Sequence, residues 1–274
     1  MADYRLIALD IDGTLTRNDR TVSEHTRETL IEAQKRGLQV VIASGRPTQG
    51  IAHVAEALQL DSYGGYVLAY NGGEIWNWQA RQQLYAEMLP DGLVPWLYEQ
   101  TRGAGFEIMT YCGRYIVTEA RGNRYIELSA ARNRMEVKTV GRFLEGVDWP
   151  LAKCMIVGNP DALERFELQL KAGLQGRANA YRSEPFYLEV VPAGIDKAKC
   201  LGILLERLGL DRSRLIACGD GYNDISMIQF AGLGVAMGNA QEPVKKAADY
   251  ITLSNEADGV ADVVERFFLQ AVPK

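Results

Sequence analysis

The chain has 274 residues, 47% of them hydrophobic and 24% charged, which allows one large or two smaller domains with a sizeable core and argues against disorder over the whole. A formal charge of −5 and a pI near 5.3 give no general electrostatic reason to bind nucleic acid or an anionic membrane surface, so neither is expected as a partner. No signal-peptide pattern opens the sequence and no apolar run approaches a membrane span, so a cytoplasmic protein is expected, with its oligomeric state unspecified.

The first apolar run, Leu6-Ile7-Ala8-Leu9, is short enough for a buried strand that ends at Asp10. Ser23 suits the cap of a helix on which Thr26, Leu30 and Ala33 share a face, and Gly37 suits its end. Gln39 to Ala43 reads as a second strand, followed after Ser44-Gly45-Arg46 by a helix that starts at Pro47 and runs through Leu58. Tyr66 to Ala69 makes a third strand leading into Asn71-Gly72-Gly73. From about Leu84 to Glu189 the pattern changes: short strands are predicted near Phe106 to Met109, Tyr115 to Val117 and Lys153 to Val157, and the clearest helix follows Asp161, with Leu163, Phe166 and Leu170 at helical spacing. Strand and helix then alternate again, with Leu201, Leu204, Leu205 and Leu208 on one helix face, strands at Leu215 to Cys218 and Leu233 to Ala236, and a closing helix after Gly259. This order predicts βαβ units, hence an α/β fold with a Rossmann-like parallel-sheet core, residues 1–83 and 190–274, interrupted by an α+β module, residues 84–189.

Cys112, Cys154, Cys200 and Cys218 lie far apart and form no close metal-ligand pair, so they read as reduced, structural thiols. The two histidines, His25 and His53, have no convincing partner and read as helix residues, which leaves a histidine-based metal site or triad without support.

Acidic chemistry is concentrated at strand ends. Asp10-Ile11-Asp12-Gly13-Thr14 follows an apolar strand, at the edge where open α/β sheets bind ligands. Gly13 permits a sharp turn that lets both carboxylates serve one site, and a divalent cation would offset their repulsion; alone, Asp12-Gly13 reads equally well as an ordinary turn. Gly219-Asp220-Gly221-Tyr222-Asn223-Asp224 repeats the strand-to-helix context, and Asp220 offers the oxygen that Mg²⁺ prefers. Asp224 can be a ligand, a support behind the ligands or a first-turn acid that favours the helix dipole, the support role ranking first. Ser44 and the Gly45 backbone N–H could face an anion at a helix start, although a plain cap explains Ser44 as well. Lys197 opens a helix, where a cation is disfavoured unless something anionic faces it.

Asp10-x-Asp12-Gly13-Thr14, Ser44, Lys197 and Gly219-Asp220-x-x-Asn223-Asp224 resemble, in this order, the four motifs of the haloacid dehalogenase-like hydrolase superfamily. The long insertion between Ser44 and Lys197 resembles the cap of its Cof-type, sugar-phosphatase-like branch, and Asn71-Gly72 matches a further pattern there. One departure is Asp196-Lys197-Ala198, where relatives often carry a small or polar residue and then glycine around the lysine. The resemblance implies a magnesium-dependent phosphatase acting on a small phosphorylated metabolite. Asp10 would be the nucleophile that forms an aspartyl-phosphate, and Asp12 would protonate the leaving oxygen and then activate water. Mg²⁺ would be held by the Asp10 carboxylate, the Asp12 main-chain carbonyl and Asp220. Ser44, Gly45 and Lys197 would bind the phosphoryl oxygens, with Asn223 beside phosphate or metal and Asn71 and Asp224 behind them. The inserted module would close over the site and choose the leaving group, with Arg182, Ser183 and Glu189 as candidates near its junction with the core or as ordinary surface groups. A phosphotransferase or mutase is the nearest rival, and a noncatalytic metabolite-binding protein the alternative of a different class.

Overall fold

The computed structural model describes residues 3–270, which divide into two compact units, one of residues 3–85 with 196–270 and the other of Ala86–Ile195. In the first, β1 (Leu6–Leu9) is followed by α1 (Glu24–Lys35), β2 (Gln39–Ala43), α2 (Thr48–Ala57), α3 (Leu60–Tyr63) and β3 (Tyr66–Ala69), and then by β4 (Glu74–Asn77) and β5 (Gln82–Ala86). Ser23 caps α1 as expected, its Oγ accepting the Thr26 N–H at 3.0 Å. Pro47 stands one residue outside α2, as its cap, not at its first position.

The second unit contains α4 (Leu93–Gly103), β6 (Glu107–Cys112), β7 (Tyr115–Thr118), α5 (Arg124–Asn133), β8 (Glu136–Thr139), β9 (Cys154–Val157), α6 (Pro160–Leu174), β10 (Ala178–Glu184) and β11 (Tyr187–Pro192). Its six-stranded sheet has the order β10-β11-β9-β6-β7-β8, antiparallel except for the parallel pair β7 and β8. Leu97, Ile108, Ile156, Phe166, Leu170 and Leu188 belong to a core of its own. Because β11 runs unbroken to Pro192, residues 190–192 belong to this sheet, and the units divide after Ile195, not after residue 189.

The chain returns to the first unit through α7 (Lys197–Leu208), β12 (Leu215–Gly219), α8 (Ile225–Phe230), β13 (Leu233–Ala236), α9 (Glu242–Ala247), β14 (Tyr250–Ile251) and α10 (Gly259–Val264). Its eight-stranded sheet has the order β14-β13-β12-β1-β2-β3-β4-β5, parallel from β14 through β3. Leu6, Ile7, Ala8 and Leu9 are all fully buried, as expected of a central parallel strand covered on both faces. Residues from α7 and α8, including Leu201, Leu204 and Met227, pack on one face with Leu6, Ala8 and Leu68. No helix among the described residues is long and apolar enough to cross a membrane.

Candidate active site

Since β12 and β2 flank β1 in parallel, the segments leaving their carboxyl ends emerge side by side. Asp10 follows β1, Ser44 follows β2 and Asp220 follows β12, while Lys197 is the first residue of α7. The Asp10 N–H is fixed to the Cys218 carbonyl at 3.1 Å and the Ser44 N–H to the Leu68 carbonyl at 2.9 Å, so both turns start from the sheet ladder itself.

Lys197 answers the question its position raises. Its side chain is fully buried, and Nζ lies 2.6 Å from Asp10 Oδ1 and 2.6 Å from Asp224 Oδ1. The anionic partners required by a buried cation at a helix start are thus the acids of the two main motifs. Asp10, Asp220 and Asp224 each offer a carboxylate oxygen within 4.8 Å of the others. Asp224 has both oxygens engaged, since Oδ2 accepts the Asp220 and Gly221 N–H groups at 3.0 and 2.9 Å. Of the open roles for this residue, cap of the turn and support for Lys197 both describe what its side chain touches. Asp220 Oδ1 accepts the Thr14 hydroxyl at 2.9 Å, and Gly13 sits so close to the Asp220 carboxylate, at φ +84°, that a side chain there would collide with it.

Three carboxylates facing one ammonium leave an excess of negative charge, and the acids respond to it. Burial first, then the Asp224 charge, push Asp10 above the ordinary carboxylate range against the pull of Lys197. Burial likewise lifts Asp220 to about 6, although the Thr14 hydroxyl works in the other direction. For Lys197, burial opposes the charge, but Asp10 and Asp224 outweigh it and raise the pKa. A divalent cation relieves this imbalance, and an all-oxygen donor set is the chemistry Mg²⁺ prefers, so the residues present fit that ion.

Asp12 lies outside the cluster of three, its carboxylate gripped at both oxygens by the Arg46 guanidinium, with Nε to Oδ2 2.8 Å and Nη2 to Oδ1 2.5 Å. Ser44 is buried and its Oγ accepts the Arg46 N–H at 3.2 Å. Asn223 Nδ2 donates to Asn71 Oδ1 at 3.2 Å, and the Asn71 amide lies 3.0 Å from where a Cβ on Gly45 would stand. Asn71 is displayed by a run of left-handed residues, Tyr70, Asn71 and Gly72, laced to the neighbouring turn by N–H bonds from Tyr70 to the Arg46 carbonyl and from Asn71 to the Ser44 carbonyl. All the acids, the lysine, Ser44, Gly45, Asn71 and Asn223 expected from the sequence therefore belong to turns of one sheet edge and one helix start in the first unit.

Sequence reasoning missed two contributors. Arg46 stands beside Ser44 in a motif already noted, but its partner is 34 residues away. Asn239 follows β13, donates to the Gly13 carbonyl at 2.8 Å and accepts the Asn255 N–H at 2.9 Å, bracing the turn that carries Asp12; no local pattern signals it. In the second unit, Arg182 is occupied by Glu164 and Glu167 of α6 at 2.8 and 2.9 Å, and Glu189 is buried 2.6 Å from Lys153, so neither is an unengaged surface group.

The family described as haloacid dehalogenase-like hydrolase matches residues 7–264, and the chain belongs to it. A haloacid dehalogenase-like hydrolase from Bacteroides thetaiotaomicron, known as a crystal structure, superposes with a TM-score of 0.94 at 52% identity, over 97% of this chain and 100% of that one. A 5-amino-6-(5-phospho-D-ribitylamino)uracil phosphatase of Bacillus subtilis is 33% identical over 97% of each chain. A phosphoglycolate phosphatase of Methanopyrus kandleri is 30% identical over 95% of this chain and 96% of its own length. On these full-length matches the protein is an enzyme of the phosphatase class.

Proposed function

We propose that the protein is a Mg²⁺-dependent phosphatase that hydrolyses small phosphorylated metabolites, sugar phosphates before nucleotide or cofactor phosphates, through an aspartyl-phosphate on Asp10. The observation that carries this reading is the buried Lys197 ammonium, 2.6 Å from both Asp10 and Asp224, with Asp220 in the same cluster. The Asp10 and Asp220 carboxylates with the Asp12 main-chain carbonyl would hold Mg²⁺, which supplies positive charge against the phosphoryl oxygens.

Lys197 holds Asp10 through Oδ1, orienting the carboxylate and leaving its other oxygen to attack phosphorus. As the bond from Asp10 to phosphorus forms, the bond from phosphorus to the leaving oxygen breaks, and Asp12 gives that oxygen its proton. Asp12, now a carboxylate, takes a proton from water; the hydroxide adds to phosphorus, the bond between the Asp10 oxygen and phosphorus breaks, and phosphate leaves with the Asp10 carboxylate restored. Ser44, the Gly45 N–H and the Lys197 ammonium provide donors for the phosphoryl oxygens, and catalysis is chiefly positioning and charge neutralisation.

The two named relatives act on chemically different phosphates at similar identity to this chain, which supports a shared phosphomonoester chemistry without naming this enzyme's substrate. Choice of leaving group is assigned to the inserted unit, as a cap. A panel of phosphorylated metabolites with Mg²⁺ and no added acceptor tests the reading: free phosphate should appear, ranked by kcat/KM, and Asp10→Asn should abolish turnover while Mg²⁺-dependent ligand binding persists. Hydrolysis by Asp10→Asn at the wild-type rate would remove Asp10 as nucleophile, and release only in the presence of a second hydroxyl compound would make the enzyme a phosphotransferase.

A further inference from the structure

Arg46 has a more definite task than its place beside Ser44 suggests. Its side chain is only 13% exposed, whereas that of Asp12 is 55% exposed. The arginine is also anchored independently: Nη1 donates to the Gly50 carbonyl at 3.4 Å and its backbone N–H to Ser44 Oγ at 3.2 Å. Asp12 has the opposite character, an exposed side chain in a turn, held at both oxygens by Nε and Nη2 at 2.8 and 2.5 Å. In such an asymmetric pair the more enclosed, independently anchored guanidinium is the fixed element and the carboxylate the one that is placed. An ion pair with one partner so exposed adds little to stability, so its effect has to be sought elsewhere.

We infer that Arg46 is the positioning residue for Asp12, its two-point hold setting the plane of the carboxylate so that, when one oxygen takes up the proton exchanged with the leaving group, the other stays on the guanidinium. The inference rests on the reading of Asp12 as the acid and base of the reaction. The two-point fork fixes the carboxyl plane as a single contact could not. With both oxygens on Arg46, the Asp12 carboxylate stands outside the cluster formed by Asp10, Asp220 and Asp224.

A residue that places a proton donor matters in proportion to how much the leaving group needs the proton. An alkoxide leaves poorly without one, whereas p-nitrophenolate leaves unprotonated. The experiment measures formation of the phosphoenzyme in single turnovers, with p-nitrophenyl phosphate and with glycerol phosphate, for the wild type, Arg46→Ala, Arg46→Lys and Asp12→Asn at saturating Mg²⁺. Arg46→Ala is expected to slow the step by about 100-fold on the alkyl ester, the lower range for losing acid catalysis, and by less than about tenfold on the aryl ester. Arg46→Lys should recover part of the alkyl rate, since the charge returns without the fork, and it also decides the matter should the alanine variant fail to fold. Addition of Arg46→Ala to Asp12→Asn should cost nothing further on the alkyl ester. If Asp12→Asn shows the contrast between esters while both Arg46 variants slow the two equally, the role of Arg46 is overturned and that of Asp12 stands. If Asp12→Asn itself shows no contrast, the reading of Asp12 as the acid falls.

Discussion

Lys197 shows how one residue can tie together both ends of a long chain. Its ammonium joins Asp10 near the start to Asp224 beyond β12, and burial makes each of those contacts costly to break, because removal of one partner strands the others without compensation. The same electrostatics predict a pH dependence. Asp220 has an ordinary pKa of 3.8 and a folded value of about 6, so without metal the folded state takes up protons that the unfolded state has already released, and stability falls as pH rises through that interval. Asp10 is shifted in the same direction, which carries the fall further towards neutrality. Mg²⁺ must displace those protons, so its affinity should weaken as pH drops from 7 to 5 and its binding should release protons. Calorimetric titration in buffers of different ionisation enthalpy measures both quantities; an affinity unchanged across that range would contradict the assigned carboxylates. This coupling was partly legible in advance. Acids after apolar strands announce themselves, and a lysine opening a helix asks for an anionic partner, but the Arg46 fork and the Asn239 brace are contacts across 34 and 226 residues that no local pattern contains.

Among the elements, the turn after β3 is the least relaxed part of the site. Tyr70 and Asn71 both adopt left-handed conformations, unfavourable for a side chain as bulky as tyrosine, and Gly72 follows at φ +102°. A Cβ on Gly72 would stand 2.5 Å from the carbonyl oxygen of Asp196, the residue that caps α7 immediately before Lys197. Gly72→Ala should therefore cost about 1–3 kcal/mol of stability through backbone strain and also lower kcat by pressing on the helix start that carries Lys197. Urea unfolding and steady-state kinetics on the same preparation separate the two effects; lost stability with kcat unchanged would show that the turn is not coupled to Lys197. Elements of this kind differ in how far sequence reveals them. The parallel strands are apolar runs such as Leu6 to Leu9, bounded by glycine-rich turns, and they stand out. By contrast, β4 and β5 are half-polar, β8 is mostly exposed, and β10 has the largely polar sequence Ala-Asn-Ala-Tyr-Arg-Ser-Glu, in which only the small Ala178 and Ala180 mark a buried face, so no strong apolar alternation signals these strands.

At the scale of the whole molecule, the inserted unit is self-sufficient in the terms that define a domain. Every strand of its six-stranded sheet comes from within Ala86–Ile195, and Phe143, Cys154, Ile156, Leu163 and Leu188 give it a core with side chains at or near complete burial. Phe143 has no exposed surface and stacks on Tyr98 with ring centroids 6.0 Å apart, joining the irregular stretch before β9 to α4. The sequence revealed the insertion as a change of pattern but misplaced its end, because Tyr187 to Pro192 is buried throughout and a fully buried strand looks alike in either sheet. A polypeptide of residues 86–195 is therefore expected to unfold cooperatively on heating by itself. The remaining core, closed by a flexible linker, should keep Mg²⁺-dependent hydrolysis of p-nitrophenyl phosphate, since each residue assigned to the chemistry lies within it. Its kcat/KM values across the metabolite panel should converge, because the portion assigned to leaving-group choice is gone. If the shortened enzyme preserved the wild-type ranking of substrates, selection would belong to the sheet edge around Asp10 and not to the insertion.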